Sequence, residues 1–155
     1  MTDKETTFLK EWAVRYIKNR DAISKKIVSI EEFGDGFHVV RKDKEQRFFI
    51  EPFLKELHPL VEKIKGYQQN KALVCFHTRE NLDILLKNWK TFVELGRNFT
   101  IFFVNPFSKT ERVLSLSPST HQLISDEDTL QQGVTTMSQE IEFTTEEEVK
   151  KILSS

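Results

Sequence analysis

Long apolar runs, cysteine and a recognisable targeting segment are what this chain has least of. Its longest apolar run, residues 72–76, is five residues, against about 20 for a helix that spans a bilayer, so no membrane association is expected. The opening residues, Met1-Thr2-Asp3-Lys4-Glu5, are polar or charged and carry no secretory h-region, which gives the cytoplasm as the expected location. The single cysteine, Cys75, has no partner for an internal disulfide and reads as a small buried hydrophobe. Tyrosine and tryptophan number two each against 13 phenylalanines, so much of the core should be aromatic and apolar. No glycine-rich phosphate loop or dinucleotide fingerprint occurs. The four histidines, His38, His58, His77 and His121, lack zinc-site spacing.

What the chain does have is enough apolar residue for one core: 155 residues, 38% hydrophobic and 30% charged, fit a single α/β domain. The net charge of −1 hides an asymmetry. Residues 1–112 hold 21 Lys and Arg against 16 Asp and Glu, whereas residues 113–155 hold 2 against 8. A mildly basic body is therefore joined to an acidic, helical C-terminal part, residues 119–155, a pattern compatible with a polyanion-facing surface.

Hydrophobic periodicity predicts the elements. Phe8, Leu9, Trp12, Ala13, Tyr16 and Ile17 place a helix over residues 7–22, with Thr2 and Glu5 as a capping box upstream. Strands over 26–32 and 37–42 flank Phe33-Gly34-Asp35-Gly36, a hairpin signal, and a turn at Asp43-Lys44-Glu45 leads into a third strand ending at Glu51. A helix starting near His58, with Pro59 at its first position, closes at Gly66. The buried strand 72–76 is followed by one long helix, capped by Thr78 and stopped by Gly96 near Leu95, and then by the strand 99–105. A strand over 112–116 should return antiparallel. Ser125 or Asp128 opens a helix with the stripe Leu130, Val134, Met137 and Ile141, in which Gly133 suggests close packing. Thr145 and Glu148 form the capping box of a last helix.

The order helix, three-strand meander, helix, parallel strand, helix, parallel strand resembles the restriction-endonuclease-like fold, the superfamily of the PD-(D/E)xK motif. The resemblance covers residues 7–105 and implies a central mixed sheet, an antiparallel meander plus parallel strands, flanked by helices. It also implies two carboxylates that bind magnesium or manganese and a lysine two residues beyond the second. Glu51 fills the acidic position of the third strand; the second strand, residues 37–42, contains no carboxylate, and Asp35, in the turn before it, completes the expected metal pair. Phe53 stands at the lysine position, and Lys55 is the nearest substitute.

Three parallel strands would gather Glu51, His77 and Asn105 at their carboxyl ends, where open α/β sheets bind ligands. His77 is the best single general acid or base, since its unperturbed pKa of about 6.5 suits proton transfer near neutrality. Arg79 and the amides that open the following helix could receive an anion, with Glu80 nearby, Asn105 as a donor and His121 approaching if the chain folds back. The densest basic segment, Arg41, Lys42, Lys44 and Arg47, followed by Lys18-Asn19-Arg20 and Lys25-Lys26, could contact phosphates. The reading that follows is a binding or interaction module, non-catalytic, facing nucleic acid through the basic meander. Its competitors are a metal-dependent nuclease or phosphodiesterase using Asp35, Glu51 and His77 or Glu80, and a small anionic-ligand or nucleotide binder at His77 and Asn105. Another protein, or a second copy, could dock on the C-terminal helices.

Overall fold

A continuous six-strand sheet is laid down in strict chain order. The computed structural model describes residues 3–124 and 127–154. Strands β1 (Ile27–Phe33), β2 (Gly36–Arg41), β3 (Glu45–Ile50), β4 (Asn70–Phe76), β5 (Phe99–Val104) and β6 (Val113–Leu116) lie side by side in that order. β1, β2 and β3 form the antiparallel meander, β3, β4 and β5 run parallel, and β6 returns antiparallel to β5. Helices α1 (Lys4–Arg20), α2 (Leu57–Lys65), α3 (Arg79–Lys87), α4 (Trp89–Val93), α5 (Pro118–Ile124), α6 (Glu127–Ser138) and α7 (Glu146–Ser154) complete the chain. The fold is thus α/β with a mixed sheet flanked by helices.

Two cores, one on each face, follow from the period of two along buried strands. Phe49, Leu73, Cys75, Ile101 and Phe103 point to one face, where Ile64 of α2, Leu85 of α3, Phe92 of α4 and Val134 of α6 cover them. Phe48, Ile50, Val74, Phe76 and Val104 point to the other, under Leu9 and Ala13 of α1 and Val149 of α7. The stripe Leu130, Val134, Met137 packs in the first core. No helix among the described residues is long and apolar enough to cross a membrane.

Several local expectations are corrected. Thr2 and Ser125 lie outside the described residues, and α1 is capped by Asp3, whose Oδ1 accepts from the Thr6 amide at 2.7 Å. Pro59 is the third residue of α2, not the first; it is still in the first turn, where its missing N–H leaves no bond unmade. The single helix expected up to Leu95 is divided at Asn88, whose side chain donates to the Ile84 carbonyl at 2.8 Å while its own backbone leaves the helical region. Residues 118–124 form α5, where the apolar pattern gives no helix. The expected stripe helix stops at Ser138, and Ile141 is buried outside it.

Two glycines behave differently from expectation. The hairpin after β1 turns at Gly34 and Asp35, and Gly36 is already the first residue of β2. A Cβ at Gly36 would stand 1.9 Å from the Phe48 carbonyl oxygen, so close strand approach, not turn geometry, demands glycine there. Gly133 was expected to mark close packing, yet a Cβ there would meet nothing within 4 Å. Gly133→Ala is therefore predicted to stabilise the fold by about 0.5–1 kcal/mol through helix propensity and reduced unfolded-state freedom. Thermal melting should show a rise of about 2 °C, and a fall would sink this account.

Candidate functional site

The carboxyl edge of β3, β4 and β5 does gather Glu51, His77 and Asn105. The Glu51 amide donates to the Val74 carbonyl at 3.0 Å, and the His77 amide to the Val104 carbonyl at 2.7 Å, so each residue sits where its strand ends. Most of that edge is covered by the chain itself. Between α6 on one face and α7 on the other, residues 138–144 cross over it, and His77 and Asn105 hold the crossing. His77 is fully buried; its ring Nε2 lies 2.9 Å from the Ser138 carbonyl oxygen, which assigns the proton to that nitrogen. Its ring stacks on Phe143 at 4.3 Å, and its carbonyl accepts from the Thr144 amide at 3.0 Å. Asn105 donates to the Glu142 carbonyl at 2.7 Å and accepts from the Phe107 amide at 3.1 Å.

Burial holds the His77 imidazole below its ordinary pKa; the backbone carbonyls of Ser138 and Ile141 oppose that shift and the Arg79 charge adds to it. Nδ1 makes no hydrogen bond among the described residues. A neutral, enclosed imidazole is suited to pinning a segment, and residues 138–144 stand between it and any incoming reactant. Arg79 lies over the other side of Phe143, its guanidinium carbon 4.5 Å from the ring centroid, so one aromatic ring joins His77 and Arg79. Glu80 is exposed in the first turn of α3. His121 is bonded to the residue just before its own helix, Nδ1 lying 3.0 Å from the Ser117 carbonyl oxygen, and makes no hydrogen bond with His77 among the described residues.

A residue without an expected role organises the neighbouring loop. Asn81 is buried at the start of α3. Its Oδ1 accepts from the Leu54 amide at 2.9 Å, and its Nδ2 donates at 2.9 Å to the carbonyls of both Pro52 and Phe76. Thr78 caps the same helix by accepting from the Asn81 amide at 3.0 Å, as its position implied. A buried amide with both ends satisfied fixes residues 51–56 against the end of β4. The only sequence signal was an Asn in the first turn of a helix after a buried strand.

Asp35 and Glu51 come close enough for their charges to interact, as antiparallel pairing of β2 with β3 requires. Glu51 is half-buried, and loss of hydration pushes its carboxyl up, while the Lys63 ammonium pulls it down. Asp35 is held by Lys63 at 2.9 Å and Arg47 at 3.6 Å; despite the burial of its carboxyl, which works the other way, these bonds and charges lower its pKa. Glu51 lines a cleft of about 590 Å³ with Asp3, Glu56, Lys55, Lys63 and Glu146. For magnesium or manganese the fit is poor. Both Asp35 oxygens face cations, and among the described residues no three His, Cys, Asp or Glu side chains converge on one point. Lys55 pairs with Glu146 at 2.6 Å, whereas Lys63, from α2, stands beside the two carboxylates.

The basic segments divide between the faces. Arg47 lies over the Phe33 ring at 4.0 Å beside Asp35, so it belongs to the α2 side. Lys42 is exposed in the β2–β3 turn. Arg41 and Lys44 instead line a cavity of about 280 Å³ on the α1 side, together with Arg20 and Lys26, over a floor that includes Phe48 and Phe102. Arg20, Phe48 and Phe102 connect it to an apolar strip under α1. That strip opens through Trp12 and Tyr16 into a groove of about 710 Å³ between α1 and residues 106–113. Arg15 and Arg112 line this larger groove. Arg15, Arg20, Lys26, Arg41, Lys44 and Arg112 form no salt bridge with any described residue, as is also true of most lysines and arginines outside the groove; Lys10, Arg47, Lys55, Lys63, Lys65 and Lys150 are the ones that do. Asp21, Asp43 and Glu111 also line it, leaving an excess of cations.

Comparison with protein-family models, curated proteins and solved structures finds no match, so any assignment rests on this chain's own geometry.

Proposed function

We propose that the protein is a non-catalytic nucleic-acid-binding module of the cytoplasm, built on a degenerate restriction-endonuclease-like layout. The α1 groove is its contact surface. The observation that carries this reading is the convergence of six cations, drawn from segments far apart in sequence, against three carboxylates along the groove and its adjoining cavity. Cations that outnumber the carboxylates on one surface present a potential that a phosphate backbone neutralises with release of its counterions. Each of the three basic segments contributes to one cavity, the meander through Arg41 and Lys44, the end of α1 through Arg20, and the following segment through Lys26.

Anisotropy of a labelled 20-nucleotide DNA or RNA, titrated with protein from about 50 to 200 mM salt, is expected to show log affinity falling with log salt at a slope of about −3 or steeper. Arg41→Glu with Lys44→Glu should make that slope shallower by about two and weaken every sequence alike. Salt-insensitive binding, or an unchanged double variant, would refute the groove assignment. The competing phosphodiesterase reading has one observation in its favour, the Lys63 ammonium beside Asp35 and Glu51. Cleavage of the same probes in manganese, abolished by Glu51→Ala, would replace the non-catalytic reading with it.

A further inference from the structure

We infer that the nucleic acid bound in the α1 groove is single-stranded, with unpaired bases stacked on Trp12 and Tyr16. This rests on the reading of the groove as a nucleic-acid surface and names the kind of strand it takes.

Aromatic content is the reason. Cations alone do not single out an unpaired strand, because duplex and single strand both present phosphates. A groove whose floor and wall are aromatic offers something only an unpaired base can use, a π-face to stack on. Trp12 and Tyr16 project from successive turns of α1, their ring centroids 5.2 Å apart and tilted by 46°. Both are only partly buried, and the Trp12 indole N–H has no partner among the described residues. Arg20 continues the row one turn further, its guanidinium carbon 5.5 Å from the Tyr16 ring centroid and its Nη1 donating to the Tyr16 hydroxyl at 3.1 Å. Helix positions 12, 16 and 20 rise over about 12 Å, comparable to three or four base spacings of about 3.4 Å.

The walls fit the same strand. Phe8, which lines the larger groove, is backed by Phe107, on which it stacks at 5.7 Å. Arg15 and Arg112 flank the aromatic row, and the Arg112 Nε is fixed by the Ser108 carbonyl at 2.9 Å. The smaller cavity, with Lys26, Arg41 and Lys44, continues the cationic track past Arg20. Bases lie inward on the rings and phosphates outward on the cations, the division of labour found where proteins hold single strands without reading sequence.

The test uses the full chain with 12-nucleotide oligo(U), oligo(dT) and a 12-base-pair DNA duplex, followed by anisotropy and by tryptophan emission. Trp89, the other tryptophan, is buried in the core on the opposite face and serves as an internal reference. Tighter binding of the single strands than of the duplex, with quenching of Trp12, is expected. Trp12→Phe should bind with little loss while the quenching disappears, and Tyr16→Ala should weaken single-strand binding roughly tenfold, as for loss of one stacked base. The relative response to oligo(U) and oligo(dT) separates RNA from DNA as the source. Duplex binding equal to or tighter than single-strand binding, with Trp12 emission unchanged, would overturn this inference and leave the nucleic-acid reading standing. Absence of binding to all three would overturn both.

Discussion

Replacing Asn81 with leucine is expected to cost about 3 kcal/mol and to lower the melting temperature by on the order of 10 °C. The side chains are similar in volume, so the loss is one of hydrogen bonding. The Leu54 amide would be left inside the protein with no acceptor, and the carbonyls of Pro52 and Phe76 would each lose one donor. Those carbonyls keep a second partner, since Pro52 accepts from the Phe76 amide at 3.1 Å and Phe76 from the Thr78 amide at 3.0 Å. The orphaned Leu54 N–H therefore dominates, at the full desolvation cost of an unpaired donor. Asn81→Asp separates this from a packing effect. It keeps the acceptor for Leu54 but sets a carboxylate against two carbonyl oxygens, so it should be severely destabilised at neutral pH and recover partly in acid, where a protonated carboxyl can donate. A leucine variant melting within about 2 °C of the parent would show that the loop finds other partners.

The second large effect lies at His77. His77→Ala removes a fully buried ring stacked on Phe143 and the bond to the Ser138 carbonyl, and should cost about 3 kcal/mol or more. Hydrogen exchange should localise the damage. Protection is expected to fall over residues 138–144 and to be retained in β1 and β2, because only the former are anchored by the ring. Uniform loss of protection would mean that His77 supports the whole sheet.

His77 also predicts a pH dependence. Burial depresses its folded-state pKa below the unfolded value of about 6.5. As pH falls through that value the unfolded chain takes up a proton that the folded chain refuses. The stability present above about pH 6.5 is accordingly lost as pH falls toward the folded pKa. Glu51 acts in the opposite sense, since its raised folded pKa lets the folded chain bind a proton first as pH falls. Asp3, Asp21, Asp35 and Glu146 have lowered folded-state values, so their contributions are lost only in more acidic solution, below about pH 4. Denaturant titrations between about pH 7 and 5 in a Glu51→Gln background isolate His77. The slope there should disappear when His77→Gln is added, and a slope that survives would assign it to another group.

At the covered part of the edge, His77 and Asn105 direct side-chain hydrogen bonds to residues 138–144. His77 and Asn105 lie at the ends of parallel strands, where ligands often bind, but in this protein residues 138–144 occupy that place. The groove proposed as functional lies where α1 leaves part of the sheet open. Phe102 and Val113 are half-exposed on β5 and β6, and helix α7 packs with α1 toward the other end of that face.

Much of the architecture was legible because it depends on neighbours in sequence. Alternation in β3, β4 and β5 sets which side chains face each core, and Thr78 and Thr145 cap helices that begin beside them. The break at Asn88 escaped because one side-chain bond to the Ile84 carbonyl competes with a helical pattern that otherwise continues. The site depended on distant chain segments. Arg41 and Lys44 meet Arg20, Lys63 rather than Lys55 reaches Asp35, and Asn81 binds Leu54 across 27 positions, none of which has a local signal. By itself the sequence determined an α/β domain with parallel strands ending at Glu51, His77 and Asn105, since periodicity and capping act within a few residues. Only the tertiary structure decided that residues 138–144 close this edge over His77 and Asn105, and that Arg15, Arg20 and Arg112 share a groove with Trp12 and Tyr16, because burial and charge clustering depend on which distant surfaces meet.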